Sequence, residues 1–457
     1  MRIAGYLMLV TMLTRVGTVQ AATLTVDSFD GAGCNFIEAI TATENNTAGT
    51  GPCAGSVTGV FGADTILLTS NQPYRAQTLL SPPHLSIPVI RDKLTVIGVG
   101  TMKTVQRDPA APELRLFTLV TGARLTLKNI RFRNFKVSND TFADGAVVRG
   151  QGDIIVNLEN TVFDGNTAEY SGGAINLFGS AADKKAILVV ERSSFVNNQA
   201  HELPANGGLA VGGAIELQNY FNLVIRNSTF SGNQADGCGA LAWNGNGNDI
   251  ELVNNTFSGN TASEYAGAIC GTSRDGNGTV WFANNIIAGN QTTGTGRTDV
   301  YFSYALANDV VVAKNNLIGS DSSSVINGYN ASLPITDAAD GNILAYSDAS
   351  TPLALEAIVK PITEHQGMPY FPIPQTSPAV DAGTIGTYIP GAVLSFWRAG
   401  CRGTSKTLIP SFDFHPDQLN RARPVGTACD IGAIEYRDES TCYAVKTSGQ
   451  KVVAFCL

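Results

Sequence analysis

Four charged residues of this sequence could act on a substrate if the fold brought them together. Glu216 follows a Gly-Gly-Ala-Ile segment, and Asp236, Arg274 and Asp275 lie in nearby turn-like stretches. Enzymatic hydrolysis of a glycosidic bond usually needs two carboxylates about 5 to 10 Å apart. Charged side chains in turns are mostly solvated, however. These four residues are therefore candidates for polysaccharide chemistry, and the sequence assigns no catalytic site.

The four histidines and eight cysteines show no metal-binding spacing. The histidines are scattered at His84, His201, His365 and His415. His201 lies in an insertion, residues 199–211, that should protrude from the repeat it interrupts, and such a loop can shape a binding cleft. We expect no metal site and no cofactor.

Composition excludes one class of partner. The chain has 457 residues, a net charge of −8 and only 15% charged residues. Because phosphate contacts need clustered Lys and Arg, nucleic-acid binding is not expected. The 48 Gly, with abundant Asn and Thr, indicate many turns between short strands.

The N-terminal residues have the pattern of a secretory signal. Arg2 precedes an apolar run over residues 6–13, and residues 19–21 read Val-Gln-Ala. The run is too short to span a bilayer, and no later stretch approaches about 20 apolar residues. We expect a mature protein that begins near Ala22, is secreted or lies on the outer cell surface, and has no transmembrane segment. Export would favour disulfides.

A repeat of about 30 residues predicts the fold. Seven similar segments end at intervals of 27 to 35 residues, on Phe132, Phe163, Phe195, Phe230, Phe257, Ile287 and Ile318. Within them apolar residues recur at every second position, which indicates strands. The sequence therefore predicts an all-β fold, a right-handed parallel β-helix of the pectin-lyase type. Trp243 is in register with Leu177 and Leu217, so we expect it in the core.

Asparagine recurs three positions before these anchor residues. The column holds Arg192 and six Asn: Asn129, Asn160, Asn227, Asn254, Asn284 and Asn315. Asn tolerates the left-handed conformation of a sharp bend, and stacked amides can hydrogen-bond between coils. We predict an internal structural ladder, with an Asn-lined binding row as the alternative. A second row follows three positions after the anchors, at Asn166, Asn198, Asn233, Asn260 and Asn290.

Positions along the chain suggest the cysteine pairs. Cys34 with Cys53 would staple the N-terminal cap, Cys401 with Cys429 the C-terminal cap, and Cys442 with Cys456 a terminal hairpin. Cys238 and Cys270 are offset by four positions, about 13 Å along a straight strand. A disulfide needs Cα atoms within about 7 Å. This pair therefore forms only if the chain bends between them.

The repeats resemble a known class of surface proteins. Phe163-Asp164-Gly165-Asn166 followed by Gly172-Gly173-Ala174-Ile175, and their later counterparts, are similar to the FxxN and GGAI repeats of chlamydial-type polymorphic outer membrane proteins. Those proteins are surface adhesins with β-helical passengers. The resemblance implies an architecture more than an activity.

Both flanks resemble secreted bacterial β-helix proteins. Residues 34–40, Cys-Asn-Phe-Ile-Glu-Ala-Ile, look like the CSLREAI motif, with Asn35, Phe36 and Ile37 in place of Ser, Leu and Arg. A set of residues near the other end is similar to the signature of choice-of-anchor Q type proteins, although Leu419 and Asn420 depart from it. The set consists of residues 377–383, Asp417-Gln418, Arg421, Arg423-Pro424 and residues 429–436. The charges of this signature, Asp417 and Asp430 with Arg421 and Arg423, could pair and lock a cap.

We divide the chain into a signal peptide (1–21), an N-terminal cap (22–90), β-helix coils (91–325), C-terminal coils and cap (326–436) and a disulfide-closed tail (437–457). A short helix over Glu38–Thr43 should cover the first coil. We expect a monomer.

Three functions stay open. The leading one is a secreted or cell-surface, non-enzymatic β-helix protein that binds glycans or surfaces, as an adhesin does. The second is a polysaccharide lyase or glycoside hydrolase on the same scaffold, for which alone calcium would be considered. The third is a structural component of an envelope or matrix. Clustered acids with a Lys or Arg on adjacent coils would favour the enzyme.

Overall fold

The computed structural model describes most of the repeat region and parts of both flanks. The described residues are 21–47, 52–55, 57–77, 87–138, 143–201, 208–246, 249–273, 279–294, 299–304, 310–319, 325–328, 332–334, 341–345, 353–383, 417–421, 429–436, 443–447 and 450–455. The following lie outside them: residues 1–20 of the predicted signal peptide, the 202–207 part of the insertion, Arg274, Asp275, His84, His415, Arg423, Cys401, Cys442 and Cys456.

The repeat region winds through four sheets, named A to D in their order along each coil. In the described residues sheet A has eleven strands: Val57–Thr58, Ala21–Val26, Val60–Leu68, Lys93–Gly98, Arg124–Lys128, Ile154–Glu159, Ala186–Glu191, Phe221–Arg226, Asp249–Val253, Thr279–Ala283 and Val310–Lys314. Sheet B has ten: Tyr74–Ala76, Lys103–Arg107, Ile130–Arg133, Val162–Asp164, Ser194–Val196, Thr229–Ser231, Thr256–Ser258, Ile286–Ala288, Leu317–Ile318 and Ile343–Leu344.

Sheets C and D complete each coil. Sheet C consists, in the described part, of Lys136–Val137, Thr167–Ala168, Gln199–Ala200, Gln234–Ala235, Thr261–Ala262 and Gln291–Thr292. Sheet D contains Phe117–Leu119, Val148–Gln151, Ile175–Gly179, Ile215–Asn219, Leu241–Gly245, Ile269–Ser273, Val300–Tyr304, Val325–Gly328 and Ser332–Pro334. Successive coils pair in parallel, with edge strands Val57–Thr58 and Ser332–Pro334 antiparallel. The chain is thus a parallel β-solenoid, as the repeat predicted.

Inward-facing residues of each coil stack on their equivalents in the next. The Phe rings at 163, 195, 230 and 257 lie parallel, with centroids 4.7, 4.7 and 4.5 Å apart. Trp243 is buried, pairs in register with Leu217, and lies 5.0 Å from the ring of Phe302. Gly271 separates these two residues along the column, and a Cβ there would lie 2.0 Å from the indole. The missing side chain of Gly271 therefore gives Trp243 its place in the core.

The corner between sheets A and B uses left-handed residues. All six Asn of the first column have positive φ, between 50° and 57°, and Arg192 has φ 47°. Amide–amide bonds join Asn160 to Asn129 at 2.9 Å and Asn254 to Asn227 at 3.3 Å. Because Arg192 interrupts the column, Asn227 donates to Glu191 instead. The first column is thus a row of corners with paired amides along part of its length.

The second Asn row forms a continuous buried ladder. Each side-chain NH2 of Asn166, Asn198, Asn233 and Asn260 donates to Oδ1 of the next Asn at 2.8 to 3.0 Å. Each also donates to a main-chain carbonyl of the preceding coil. Another ladder runs through Asn255, Asn285, Asn316 and Asn342, one position after the first column. These buried amides meet the requirement that polar groups inside a protein be hydrogen-bonded.

The N-terminal end of the core is covered by helix α1 (Phe36–Glu44). Asn35 caps it by accepting from the Glu38 N–H at 2.9 Å. The ring of Phe36 packs against Phe29 and Phe117. The helix predicted over Glu38–Thr43 is therefore confirmed, and the Cys34–Cys53 disulfide forms as predicted.

Cys238 and Cys270 also form a disulfide, with Cα atoms 5.6 Å apart. Cys238 lies in the turn before sheet D, where it forms an isolated parallel β-bridge with Ala266. The turn folds over the outer face of sheet D, where both cysteines pack with Ala242 and Ala266. Because the chain bends here, the two Cα atoms lie much closer together than the offset along a straight strand would allow. Cys429 is disulfide-bonded, whereas its predicted partner Cys401 lies outside the described residues.

The described C-terminal segments over residues 353–383, 417–421 and 429–436, which include helix α2 (Leu355–Ile358), lie along the outer face of sheet B. The hairpin Thr363–His365 with Met368–Tyr370 contacts Ser194, and Ala433 donates to Thr256. Arg421 pairs with Asp417 at 2.7 Å, which is one of the pairs expected for this signature. A further hairpin joins Tyr443–Thr447 and Gln450–Phe455. No helix within the described residues has the length and hydrophobicity needed to cross a membrane.

Replacing Asn233 by Ala should destabilise the protein by about 3 kcal/mol, because three partners in the two adjacent coils lose a buried hydrogen bond. Asn233 is fully buried and bonds Asn198, Asn260 and Phe195. Denaturant unfolding followed by circular dichroism measures the change. The matched control is Asn197→Gly, since Asn197 is exposed and has φ 56°. Equal effects of the two substitutions would contradict the role of the ladder.

Candidate functional site

The structure places Glu216 and Asp236 in different environments. Glu216 points from the outer face of sheet D and is only 5% exposed. Asp236 follows sheet C, where its carboxylate lies 2.8 Å from Nδ1 of His201. The other two candidates, Arg274 and Asp275, lie outside the described residues. The proposed catalytic roles of these residues stay a prediction.

Glu216 belongs to a buried polar cluster that the sequence analysis missed. The Asn176 amide donates to Glu216 Oε2 at 2.7 Å. Asp144 lies nearby and accepts from Arg149 Nε at 2.7 Å, while Arg115 Nη2 lies 3.5 Å from the same oxygen. Burial raises the pKa of Glu216 from its usual 4.5 to about 7, and the charge of Asp144 adds to this rise. Glu216 therefore holds its proton far above the usual pH range of a carboxylic acid.

Glu216→Gln should change how stability depends on pH. With its pKa raised in the folded state, Glu216 contributes stability that is complete below about pH 4.5 and is lost as the pH rises to about 7. We expect this loss, of the order of 3 kcal/mol, to be absent in the Gln variant. Denaturant unfolding at about pH 5 and about pH 8 tests this. Glu264→Gln, at an exposed position, is the control and should keep the wild-type pH dependence.

A cleft of about 980 Å³ lies at the corner between sheets A and B, and we call it the corner cleft. The solenoid forms one wall and the C-terminal segments form the other. Its lining includes Lys128, Asn129, Glu159, Asn160, Arg192, His365, Gln366, Gln418 and Asn420. The cleft therefore combines charged groups with a row of amides.

One carboxylate joins the two cations of the corner cleft. Glu159 lies 2.7 Å from Lys128 Nζ and 2.6 Å from Arg192 Nη2. Burial by itself would raise the pKa of Glu159, but the hydrogen bonds and charges of Lys128 and Arg192 outweigh burial and lower it. Glu159 is thus held as a carboxylate, which makes it a poor proton donor. Arg192 reaches this position because it occupies a corner that Asn fills in other coils.

The C-terminal wall of the cleft is fixed to the solenoid. Arg131 pairs with Glu364 at 2.6 Å and donates to the Gly367 carbonyl at 2.8 Å. Gln366 and Gly367 both have positive φ and make the tight turn of the hairpin. Gln418, 1% exposed, donates to Ser194 at 2.6 Å and accepts from Thr229 at 2.6 Å. These bonds fix the width of the cleft.

The lining of the cleft is richer in hydrogen-bonding groups than in acids. Among the described residues that line it, Glu159 is the one carboxylate, whereas glycoside hydrolysis usually needs two. Amides donate and accept, and the cations supply further donors, so a ligand with many hydroxyl groups finds partners throughout. Within the described residues, no group of three or more His, Cys, Asp or Glu could hold a metal ion.

Sequence reasoning had little chance of finding this cleft. Lys128 and Glu159 precede Asn of the first column by one position, and Arg192 is the exception in that column. These clues place three charges at one corner. His365 and Gln418 reach the same corner only because the C-terminal segments fold back along sheet B. No repeat or spacing in the sequence indicates that contact.

The comparison with known families agrees with the geometry. Residues 119–262 match the family model for a right handed beta helix region. The predicted right-handed parallel β-helix is therefore confirmed, and the matched residues include Lys128, Glu159 and Arg192 of the corner cleft. No curated protein is significantly similar in sequence. The resemblances of the flanks to CSLREAI and choice-of-anchor Q proteins, and of the repeats to polymorphic outer membrane proteins, stay predictions.

Proposed function

We propose that this protein is a secreted or cell-surface β-helix protein that binds glycans, without catalysis, through the corner cleft. One observation carries the proposal. The cleft is lined by amides and by the Lys128–Glu159–Arg192 charge chain, and its carboxylate is held ionised between two cations. Such a lining offers many hydrogen bonds to hydroxyl groups, and its described residues include no carboxylic acid of raised pKa, the kind of proton donor that cleaves glycosidic bonds.

Export is supported by the cysteines. Two disulfides, Cys34–Cys53 and Cys238–Cys270, join residues of the described chain, and disulfides persist mainly in oxidising compartments. The predicted signal peptide points the same way. An extracellular location would bring the cleft into contact with cell-surface or matrix polysaccharides.

The enzyme alternative draws its support from Glu216. A carboxylic acid with a pKa near 7 could donate a proton at neutral pH. Glu216 is 5% exposed, however, and its neighbour Asp144 is paired with Arg149. A substrate would therefore need the turns over sheet D to open. The third possibility, a structural envelope component, requires no ligand at the corner cleft or at Glu216.

Lys128→Gln and Arg192→Gln should each weaken glycan binding about tenfold, because each removes one charged donor from the cleft. The purified full-length protein is immobilised and tested for retention of short, soluble acidic and neutral glycans. Lys136→Gln is the matched control, since Lys136 pairs with Glu113 at 2.6 Å and is about as exposed as Lys128, 46% against 42%.

The same samples are assayed for new reducing ends and unsaturated products, with and without calcium. Retention that falls with the cleft variants but not with Lys136→Gln, and without product, supports the proposal. Product formation that Glu216→Gln or Arg274→Ala abolishes would establish an enzyme instead. The absence of both retention and product would favour a structural role.

A further inference from the structure

The outer face of sheet C carries two regular columns of polar side chains, which we call the polar strip. One column is Thr167, Gln199, Gln234, Thr261 and Gln291, and the other is Glu169, His201, Asp236, Ser263 and Thr293. The strands pair in parallel without a register shift, so each column contributes one residue per coil. Between the columns the Ala side chains at 168, 200, 235 and 262 point into the core.

This arrangement makes a repeating grid of hydrogen-bonding groups. Neighbouring coils are about 4.8 Å apart and the two columns about 6.6 Å, from the spacings of strands and of alternate residues. Gln199 donates to Gln234 at 3.3 Å, and His201 contacts Asp236 at 2.8 Å. Gln234, His201, Ser263, Gln291 and Thr293 are exposed. The strip is therefore both regular and accessible over several coils.

The chemistry of the strip excludes several kinds of partner. The first column begins one coil earlier at Lys136, which is paired with Glu113 at 2.6 Å. From Thr167 to Thr293 the two columns contain no Lys or Arg, which nucleic acids and anionic membranes require. They contain no large apolar residue, which the centre of a protein interface usually has. The Asp236 carboxylate already contacts His201 of the strip, with 2.8 Å between Oδ1 and Nδ1, and Glu169 is buried. The exposed groups thus match an uncharged partner rich in hydroxyl groups.

The geometry points to a second glycan-binding surface, on which an uncharged linear polysaccharide lies along the solenoid axis over the polar strip. Amides and hydroxyls both donate and accept, as sugar hydroxyls do, so a chain of repeating units can meet equivalent partners coil after coil. The many weak contacts add through multivalency, which favours long polymers over short ones. This inference extends the proposed function to a surface separate from the corner cleft.

The test measures retention of the purified full-length protein on amorphous cellulose, chitin and insoluble xylan. The double variant Gln234→Lys with Gln291→Lys should lower retention about tenfold or more, because two long cations interrupt the uncharged columns. Thr261→Val, which removes one hydroxyl and keeps the shape, should lower it by a smaller factor. Gln151→Lys, at an exposed position on a sheet D strand, is the matched control and should bind as the wild type does. Thermal unfolding checks that each variant is folded.

Glycan binding at the polar strip is supported by three results together. Both strip variants lose retention, and the control keeps wild-type retention. Retention by the wild type is also unchanged by salt, as expected for uncharged contacts. Wild-type retention by the folded strip variants would overturn the inference. The inference would also be overturned if the wild-type protein were retained on none of the three polymers. Lys128→Gln separates the two proposals, since it should weaken binding of short soluble glycans and leave retention on the insoluble polymers intact.

Discussion

A buried amide must find a hydrogen-bond partner, and in this protein the partner is the equivalent amide of the next coil. Asn198 receives hydrogen bonds from the main-chain and side-chain N–H groups of Asn166, and it passes its own to Asn233 and Phe163. A shift of one residue in any coil would leave several of these groups unpaired inside the protein. The ladders therefore set the register of every sheet, and with it the Phe stack and the corner row that bears the cleft.

Two glutamates show how the same scaffold gives carboxylates opposite properties. Glu159 lies at an accessible corner between Lys128 and Arg192, and these cations lower its pKa despite partial burial. Glu216 lies under the turns over sheet D with only neutral donors close to it, and burial raises its pKa. Position around the coil thus decides whether an outward-facing acid serves as an anion or as a neutral group. This difference gives the cleft an ionised carboxylate, although an acid of raised pKa lies elsewhere in the same coils.

Local features of the sequence predicted most of the solenoid. The period near 30 residues, the Phe column and the alternating pattern each reflect contacts between neighbouring coils, so they repeat in the sequence. Helix α1 was predictable because Asn35 caps a short run of helix-forming residues. The sequence did not decide whether Cys238 and Cys270 form a disulfide, since their separation was calculated for a straight strand and the chain turns near Gly239. The continuous ladders lie one residue after the first column and in the second row. Predicting those positions would have required knowing which side chains point inward.

The corner cleft could not be predicted, because its second wall comes from contacts between residues more than 140 positions apart. Gln418 meets Ser194 and Thr229, and Gly432 meets Asn284. Those contacts also bear on how the protein is made. During synthesis the coils emerge one after another and can stack as they appear. The segment over residues 417–436 leaves the ribosome after the coils that it contacts. A chain that stalls before residue 417 would carry a stacked solenoid without Gln418 on sheet B, so the cleft is completed only after the coils have formed.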